Sequence, residues 1–379
     1  MTTYAAIAPP APPTLPLDSP VHAAPTSRKT SHGNTTGKHV VRTGRTHTSQ
    51  AQGATALNKR PTYTSLEVCA GAGGQALGLE QAGFEHLALV ELEDWACKTL
   101  RHNRSKWNII QDDLNTWTPP ADLHQVDLFA GGVPCPPFSV AGRQLGAADE
   151  RNLFDRAIDI VQEIHPRGVM IENVRGLLDP KFSAYREHIL ARLATMGFVG
   201  EWRLLNASDY GVPQLRPRAV LVALKDHDWE NFSWPAKHPE SAKTVGETLV
   251  DLMGSRGWRG AEAWAASANG IAPTLVGGSK KHGGPDLGPT RARKAWAAMG
   301  VTGNTIADEP PGPDFEGSPR LTPQMMARIQ GFPDSWEITG RKTNACRQIG
   351  NAFPPPVARA IGTSIFNAFS ATDATTRAR

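Results

Sequence analysis

The sequence predicts an α/β fold, a doubly wound and mostly parallel sheet carrying a smaller loop-rich domain. Three observations point there. Between residues 65 and 224, short aliphatic runs alternate with amphipathic stretches, the pattern of strands joined by crossover helices. The first strand leads through a glycine-rich turn, Gly71-Ala72-Gly73-Gly74, into a helix, so backbone can approach a ligand and the helix amino end favours negative charge. From about 225 to 319 the alternation stops, and Gly, Pro, Trp and short polar runs replace it.

The elements follow in order. A strand is expected at 65–69, the turn at 71–74 and a helix at 75–81. A second strand, 87–91, ends on Glu91, and a helix at 95–103 leads to a short strand near 109–110. Val126-Asp127-Leu128-Phe129-Ala130 reads as a buried strand. An amphipathic helix at 152–164 precedes a strand at 169–172. Helix 184–196 and strands near 202–205 and 219–224 complete the alternation. Order returns at 320, with helices at 323–329 and 356–369, the last packing back on the first domain. Residues 1–62 are rich in Pro, Ala, Thr and Ser and cannot bury a core, so they are read as disordered, as are 371–379. The expected domains are thus 63–224, 225–319 and a returning segment, 320–370.

A chain of 379 residues with 40% hydrophobic content can build one large domain and a smaller one. Its four cysteines form no CxxC pair, which argues against a zinc site or disulfide framework and for a reducing cytosol. No apolar run approaches the roughly 18 residues of a membrane span, and the start lacks the order of a secretory signal. The expectation is a soluble cytoplasmic protein. Of the net charge of +4, residues 1–66 contribute +6, leaving −2 for the rest. Bulk basicity is therefore a poor argument for nucleic-acid binding.

The chemistry is concentrated in Gly131-Gly132-Val133-Pro134-Cys135-Pro136-Pro137-Phe138-Ser139. Prolines on both sides of Cys135 stiffen the loop, at a strand's carboxyl end, where open α/β sheets bind ligands. Glu172-Asn173-Val174 ends the next strand at the same edge. Glu91 ends the second strand, where a carboxylate can accept from ribose hydroxyls. Asp113 follows the third, placed to accept from an adenine amino group. No GxxxxGK[ST] lysine is present, so a sugar-and-adenine reader without a triphosphate grip suits S-adenosylmethionine better than ATP. Gln214-Leu215-Arg216-Pro217-Arg218 places two arginines at alternating positions of an extended backbone, as a clamp on a base and its phosphates needs.

These blocks resemble, in order, the cytosine-C5 DNA methyltransferases, whose nucleophile lies in a Pro-Cys-Gln-Pro-Phe-Ser loop. Here Pro136 stands where that family usually has Gln. Arg320-Leu321-Thr322-Pro323 to Gln330-Gly331-Phe332-Pro333-Asp334 is similar to the segment that braces the family's recognition domain. Gln348-Ile349-Gly350-Asn351-Ala352-Phe353-Pro354 is similar to its last block. The matches span roughly 65–360, with 225–319 unmatched.

The resemblance implies a Rossmann-like class I methyltransferase fold and no metal. S-adenosylmethionine would be held by Gly71, Gly73, Gly74, Glu91, Leu92, Asp113, Leu114, Pro134 and Asn351. The implied reaction is methyl transfer to carbon 5 of a flipped-out cytosine in a short sequence of double-stranded DNA, through a Cys135 adduct at carbon 6. Glu172 and Asn173 would serve the acid role, Arg218 would meet cytosine oxygen 2 and support Cys135, and Arg216 would lie nearer the backbone and the acid. DNA contacts fall to Gln214 and to a 225–319 recognition domain, whose stretch 273–299 has Lys280, Lys281, Arg291, Arg293 and Lys294 against Asp286 alone. Many family members have an adenine-stacking Phe where this chain has Cys69, and Leu92 is the expected apolar wall. The biological role implied is a monomeric modification enzyme of a restriction–modification system, with any cognate endonuclease acting separately, or an orphan methylase. A tRNA cytosine-C5 methyltransferase stays open as an alternative. A catalytically silent scaffold would be expected to lose the thiol, the acid or the glycines, and all are present.

Overall fold

The structure is a computed structural model that describes residues 62–134, 153–277 and 285–378. Cys135, Lys280, Lys281 and the expected N-terminal tail through residue 61 lie outside the described residues. The strands are β1 (Tyr63–Val68), β2 (Phe84–Glu91), β3 (Ile109–Gln111), β4 (Leu128–Gly131), β5 (Gly168–Val174), β6 (Phe198–Asn206), β7 (Gln214–Leu215), β8 (Pro217–Lys225) and β9 (Ala272–Pro273). The helices are α1 (Gly74–Ala82), α2 (Asp94–Asn103), α3 (Leu153–Ile164), α4 (Ser183–Thr195), α5 (Asp226–Trp229), α6 (Val245–Gly254), α7 (Ala261–Ser267), α8 (Thr290–Ala298), α9 (Pro323–Ile329), α10 (Lys342–Asn351) and α11 (Pro355–Arg377).

Seven strands form one sheet in the order β3-β2-β1-β4-β5-β8-β6. Pairings from β3 to β5 are parallel, and β8 alone runs against its neighbours. The fold is therefore the doubly wound, mostly parallel, Rossmann-like α/β sheet expected. Alternation along the strands assigns the two faces. Phe129, Val169, Ile171 and Leu221 pack with α3 and α4 side chains such as Ile158 and Ile189. Leu128, Ala130, Met170 and Val222 pack on the other face with α11 through Val357, Ile361 and Ile365. No helix among the described residues is long and apolar enough to cross a membrane.

The structure departs from the sequence expectation at the C-terminal end, in the 225–319 stretch and at helix α10, which that expectation does not contain. The tail expected to be disordered from 371 is helical through Arg377, because Asp373 pairs with Arg167 and accepts a hydrogen bond from Tyr63 Oη. The 225–319 stretch contains four helices, α5 to α8, beside its loops. Its buried Val245, Leu249, Trp264 and Trp296 share a core with Met325, Ile329, Phe332 and Ile349 of the returning segment.

Candidate active site

Order reverses at β1, whose neighbours β2 and β4 lie on either side, so a crevice opens at the carboxyl ends of β1 and β4. A cavity occupies it. Glu67 and Cys69 to Ala72 line one wall. Gln75 comes from α1, Glu91 and Glu93 from the end of β2, and Trp95 from α2. Gly132 and Glu172 form the floor toward β5, while Arg347, Gln348, Asn351, Ala352 and Phe353 close the far side.

The turn after β1 is built for this crevice. Cys69 and Gly71 both have positive φ, 53° and 55°, and a side chain on Gly71 would meet only open space. The Gly71 amide donates to Glu91 Oε2 at 2.7 Å, and the Glu93 amide donates to Oε1 at 2.7 Å. Glu91 is thus fixed in orientation, with burial raising its pKa and those amides pulling it back. Gly73 and Gly74, expected as cofactor contacts, lie outside the cavity wall, and packing requires glycine at both. A Cβ on Gly73 would stand 2.6 Å from Leu100 and 2.9 Å from Trp336, and one on Gly74 would overlap the Phe353 carbonyl.

Two residues missed in the sequence stand out here. Glu67 is 1% exposed, and its Oε2 has no hydrogen-bond partner; both side-chain polar atoms of Gln75 are in the same condition. All three atoms belong to cavity-lining residues, and buried polar groups without partners are rare enough to mark a place where a ligand completes the bonding. Burial, then the neighbouring Glu91, holds the Glu67 carboxyl well above its ordinary value of 4.5. The stability consequence has a definite sign. The folded state keeps this proton over a range where the unfolded chain has released it, so ligand-free stability should fall as pH rises from 4.5 through the folded value. Glu67→Gln should flatten that part of the Tm-against-pH curve, and an unchanged slope would refute the assignment.

Other expected cofactor residues fall differently. Leu92 is 55% exposed and outside the cavity wall, because β2 ends at Glu91 and directs the next side chain away. Trp95 and Phe353 are the aromatic walls instead. Leu114 is buried with Trp117 in the core beneath α3. Asp113 Oδ1 accepts from the Asn115 amide at 3.0 Å and lies outside the cavity wall. Pro134 is exposed at the last described position before Cys135.

On the β5 side, Glu172 and Arg218 meet because Arg218 pairs with Val174 in the β5–β8 register, two residues along the same face. Arg218 Nε lies 2.6 Å from Glu172 Oε1. Burial raises the Glu172 pKa, and Arg218 and Arg216 oppose the rise. A side chain on Gly132 would be 3.6 Å from Glu172 Oε2, so glycine leaves that oxygen accessible to the cavity. Asn173 points elsewhere: its Nδ2 donates to the Val133 carbonyl at 2.9 Å, anchoring the segment that leads to Cys135.

Arg216 and Arg218 do not form a joint clamp. Arg216 is wholly buried and donates to the carbonyls of Leu275, Gly350 and Ala352 at 2.8, 2.7 and 3.0 Å. Gln214 is also fully buried, bonded to Gln330 Oε1 at 2.7 Å and accepting from the Leu275 amide at 3.0 Å. It is a brace between β7 and the returning segment, and the expected DNA contact there is not available. Arg291 and Lys294 are exposed on α8, whereas Arg293 is half-buried and donates to Asn304 Oδ1 at 3.1 Å. Burial raises the three described thiols, with Cys97 and Cys346 pushed up to about 11 and Cys69 further still. At neutral pH each stays protonated and a poor nucleophile.

The sequence matches the family model for C-5 cytosine-specific DNA methylase over residues 63–367. It is 58% identical to Type II methyltransferase M.NaeI of Lentzea aerocolonigenes, across 79% of this chain and 74% of that one. Identity to Type II methyltransferase M.NgoMIV of Neisseria gonorrhoeae is 52%, across 81% and 98%. Among solved structures, a DNA modification methyltransferase encoded within an E. coli prophage superposes with TM-score 0.58 at 22% identity, covering 81% of this chain and 99% of that chain. DNMT2 of Spodoptera frugiperda does so with TM-score 0.57 at 19% identity, covering 80% and 99%. At such identities the two structures speak to the fold alone.

Proposed function

Because the chain belongs to the C-5 cytosine-specific DNA methylase family and is a DNA cytosine-5-methyltransferase, we propose that it methylates one cytosine within a short duplex sequence through a covalent Cys135 adduct, using S-adenosylmethionine. The observation carrying this reading is that Glu91 and Glu172 line one cavity, so a ribose reader and a base-directed acid face the same space. In the cell it would act as the modification enzyme of a type II system or as an orphan methylase, in the cytoplasm, as a monomer. Any cognate endonuclease would act separately.

The residues present fit the cofactor. Glu91 is oriented to accept from ribose hydroxyls, and the unpartnered atoms of Glu67 and Gln75 can meet an ammonium or another polar group. Four acidic side chains and a single described cation, Arg347, line the cavity, a lining that gives a polyphosphate little grip. S-adenosylmethionine, when bound, supplies an electrophilic methyl group.

Carbon 5 of cytosine is a weak nucleophile on its own. Addition of the Cys135 thiolate to carbon 6 forms a C–S bond and moves the ring electrons toward carbon 5 and nitrogen 3. Glu172 eases that addition by donating a proton to nitrogen 3. Its raised pKa favours the neutral, donating form, and Arg218 fixes Oε1 so that Oε2 is the one presented. After carbon 5 is methylated, its proton leaves to a base, the thiolate is expelled and nitrogen 3 returns its proton to Glu172, restoring both residues. The target base must be rotated out of the duplex to reach this pocket. We assign recognition to 225–319, with Arg291 and Lys294 of α8 on phosphates and Lys280 and Lys281 in the same stretch.

Bisulfite sequencing of plasmid DNA from a methylation-free host expressing the chain tests the reading. Protected cytosines confined to one short motif are expected. Glu172→Gln should slow purified enzyme by about 10² to 10⁴-fold while still binding cofactor. Fully converted DNA with folded protein, or methyl acceptance by tRNA and not by duplex DNA, would overturn it.

A further inference from the structure

The cofactor reading leaves one charged group of the ligand unassigned, its α-carboxylate. Glu67, Glu91, Glu93 and Glu172 all line the cavity, and none of them offers positive charge to an anion. Among the described residues, Arg347 is the one cationic side chain that lines it. It lies four residues before Asn351 on α10, so both project from the same helix face toward the cavity.

Its present bonding is loose. Arg347 Nη2 stands 3.8 Å from Glu93 Oε2, with 23% of its side chain exposed, and that separation is too long for a hydrogen bond. The other well-buried arginines are committed. Arg216 holds three carbonyls, Arg218 meets Glu172 at 2.6 Å, and Arg167 forks onto Asp228 with both contacts at 2.7 Å. A planar fork with unfilled donors suits bidentate recognition of a carboxylate.

Resting on the cofactor reading above, we propose that Arg347 is the residue that reads the α-carboxylate of S-adenosylmethionine, exchanging its loose pairing with Glu93 for the ligand. Arg347 would then discriminate the amino-acid end of the cofactor, while Glu91 holds the sugar. The aromatic walls Trp95 and Phe353 carry no charge and cannot substitute for it.

Titration calorimetry on the full chain, with S-adenosylmethionine and its decarboxylated analogue, tests this. Arg347→Met should weaken S-adenosylmethionine by about tenfold or more, the scale of a charge-assisted hydrogen bond, and leave the decarboxylated analogue unchanged. Glu93→Gln, which removes the competing acid, should tighten S-adenosylmethionine and not the analogue. Equal losses for both ligands in Arg347→Met, or no loss for either, would overturn the inference while leaving the cofactor reading intact. Wild-type protein that binds neither ligand would overturn both.

Discussion

Cys135→Ala is expected to abolish methyl transfer, by about 10⁴-fold or more as for other enzymes stripped of their nucleophile, with cofactor and DNA binding retained. The reason is chemical. Without a thiolate at carbon 6, carbon 5 has no electron density to offer, and no neighbouring thiol can take over. Cys97 and Cys346 are held protonated by burial at about 11, and Cys69 is pushed higher by burial and by Glu91. Binding should survive because the described cavity walls come from β1, β2, α2, β5 and α10, while Asn173 still holds the segment before position 135. Bisulfite protection in cells, tritiated methyl incorporation on purified duplex and a gel-shift titration read the three properties separately. Substantial methylation by the alanine variant would dispose of the covalent mechanism.

Arg216→Met should act on the fold, and Arg218→Met on the chemistry. Removing the Arg216 guanidinium leaves the buried carbonyls of Leu275 and Gly350 without this donor, while Ala352 keeps its bond from Gln330. At about 1 to 3 kcal/mol for each buried group left unsatisfied, the loss should reach about 2 kcal/mol or more. Methionine fills part of the volume but donates nothing. Thermal unfolding should show a Tm lower by several degrees. Cofactor affinity should fall with it, since Gly350 precedes Asn351 in the cavity wall. Arg218→Met should change Tm far less and slow transfer by freeing Glu172 from the contact that orients it. Equal Tm losses in the two variants would contradict this division.

Much of the framework was legible because the central strands β4, β5 and β8 carry apolar runs. The run 126–130 is an example: β4 starts two residues into it and ends one residue beyond it. What was missed has identifiable causes. Helix α10 contains Gly350, which reads as a loop residue, yet glycine is needed there because a Cβ would strike the Val276–Gly277 backbone. Helix α6 did carry a signal: Thr244-Val245-Gly246-Glu247 is a capping box, and both of its hydrogen bonds form. The site was legible at Glu91 and Glu172, since acids ending apolar strands are conspicuous. Glu67 could have been found as a lone acid inside the apolar β1. The role of Gln214 and the separation of Arg216 from Arg218 depend on partners more than 50 residues away, at Leu275, Gln330 and Gly350, and no local pattern encodes them.

The cavity is completed by residues far along the chain: Arg347, Asn351 and Phe353 form one wall, and α11 covers the α1 face of the sheet. During synthesis, a nascent chain that has not yet extruded these residues from the ribosome has a sheet with one bare apolar side and an open crevice. A ribosome stalled or a message cut before residue 347 yields a product without the far wall of the cavity.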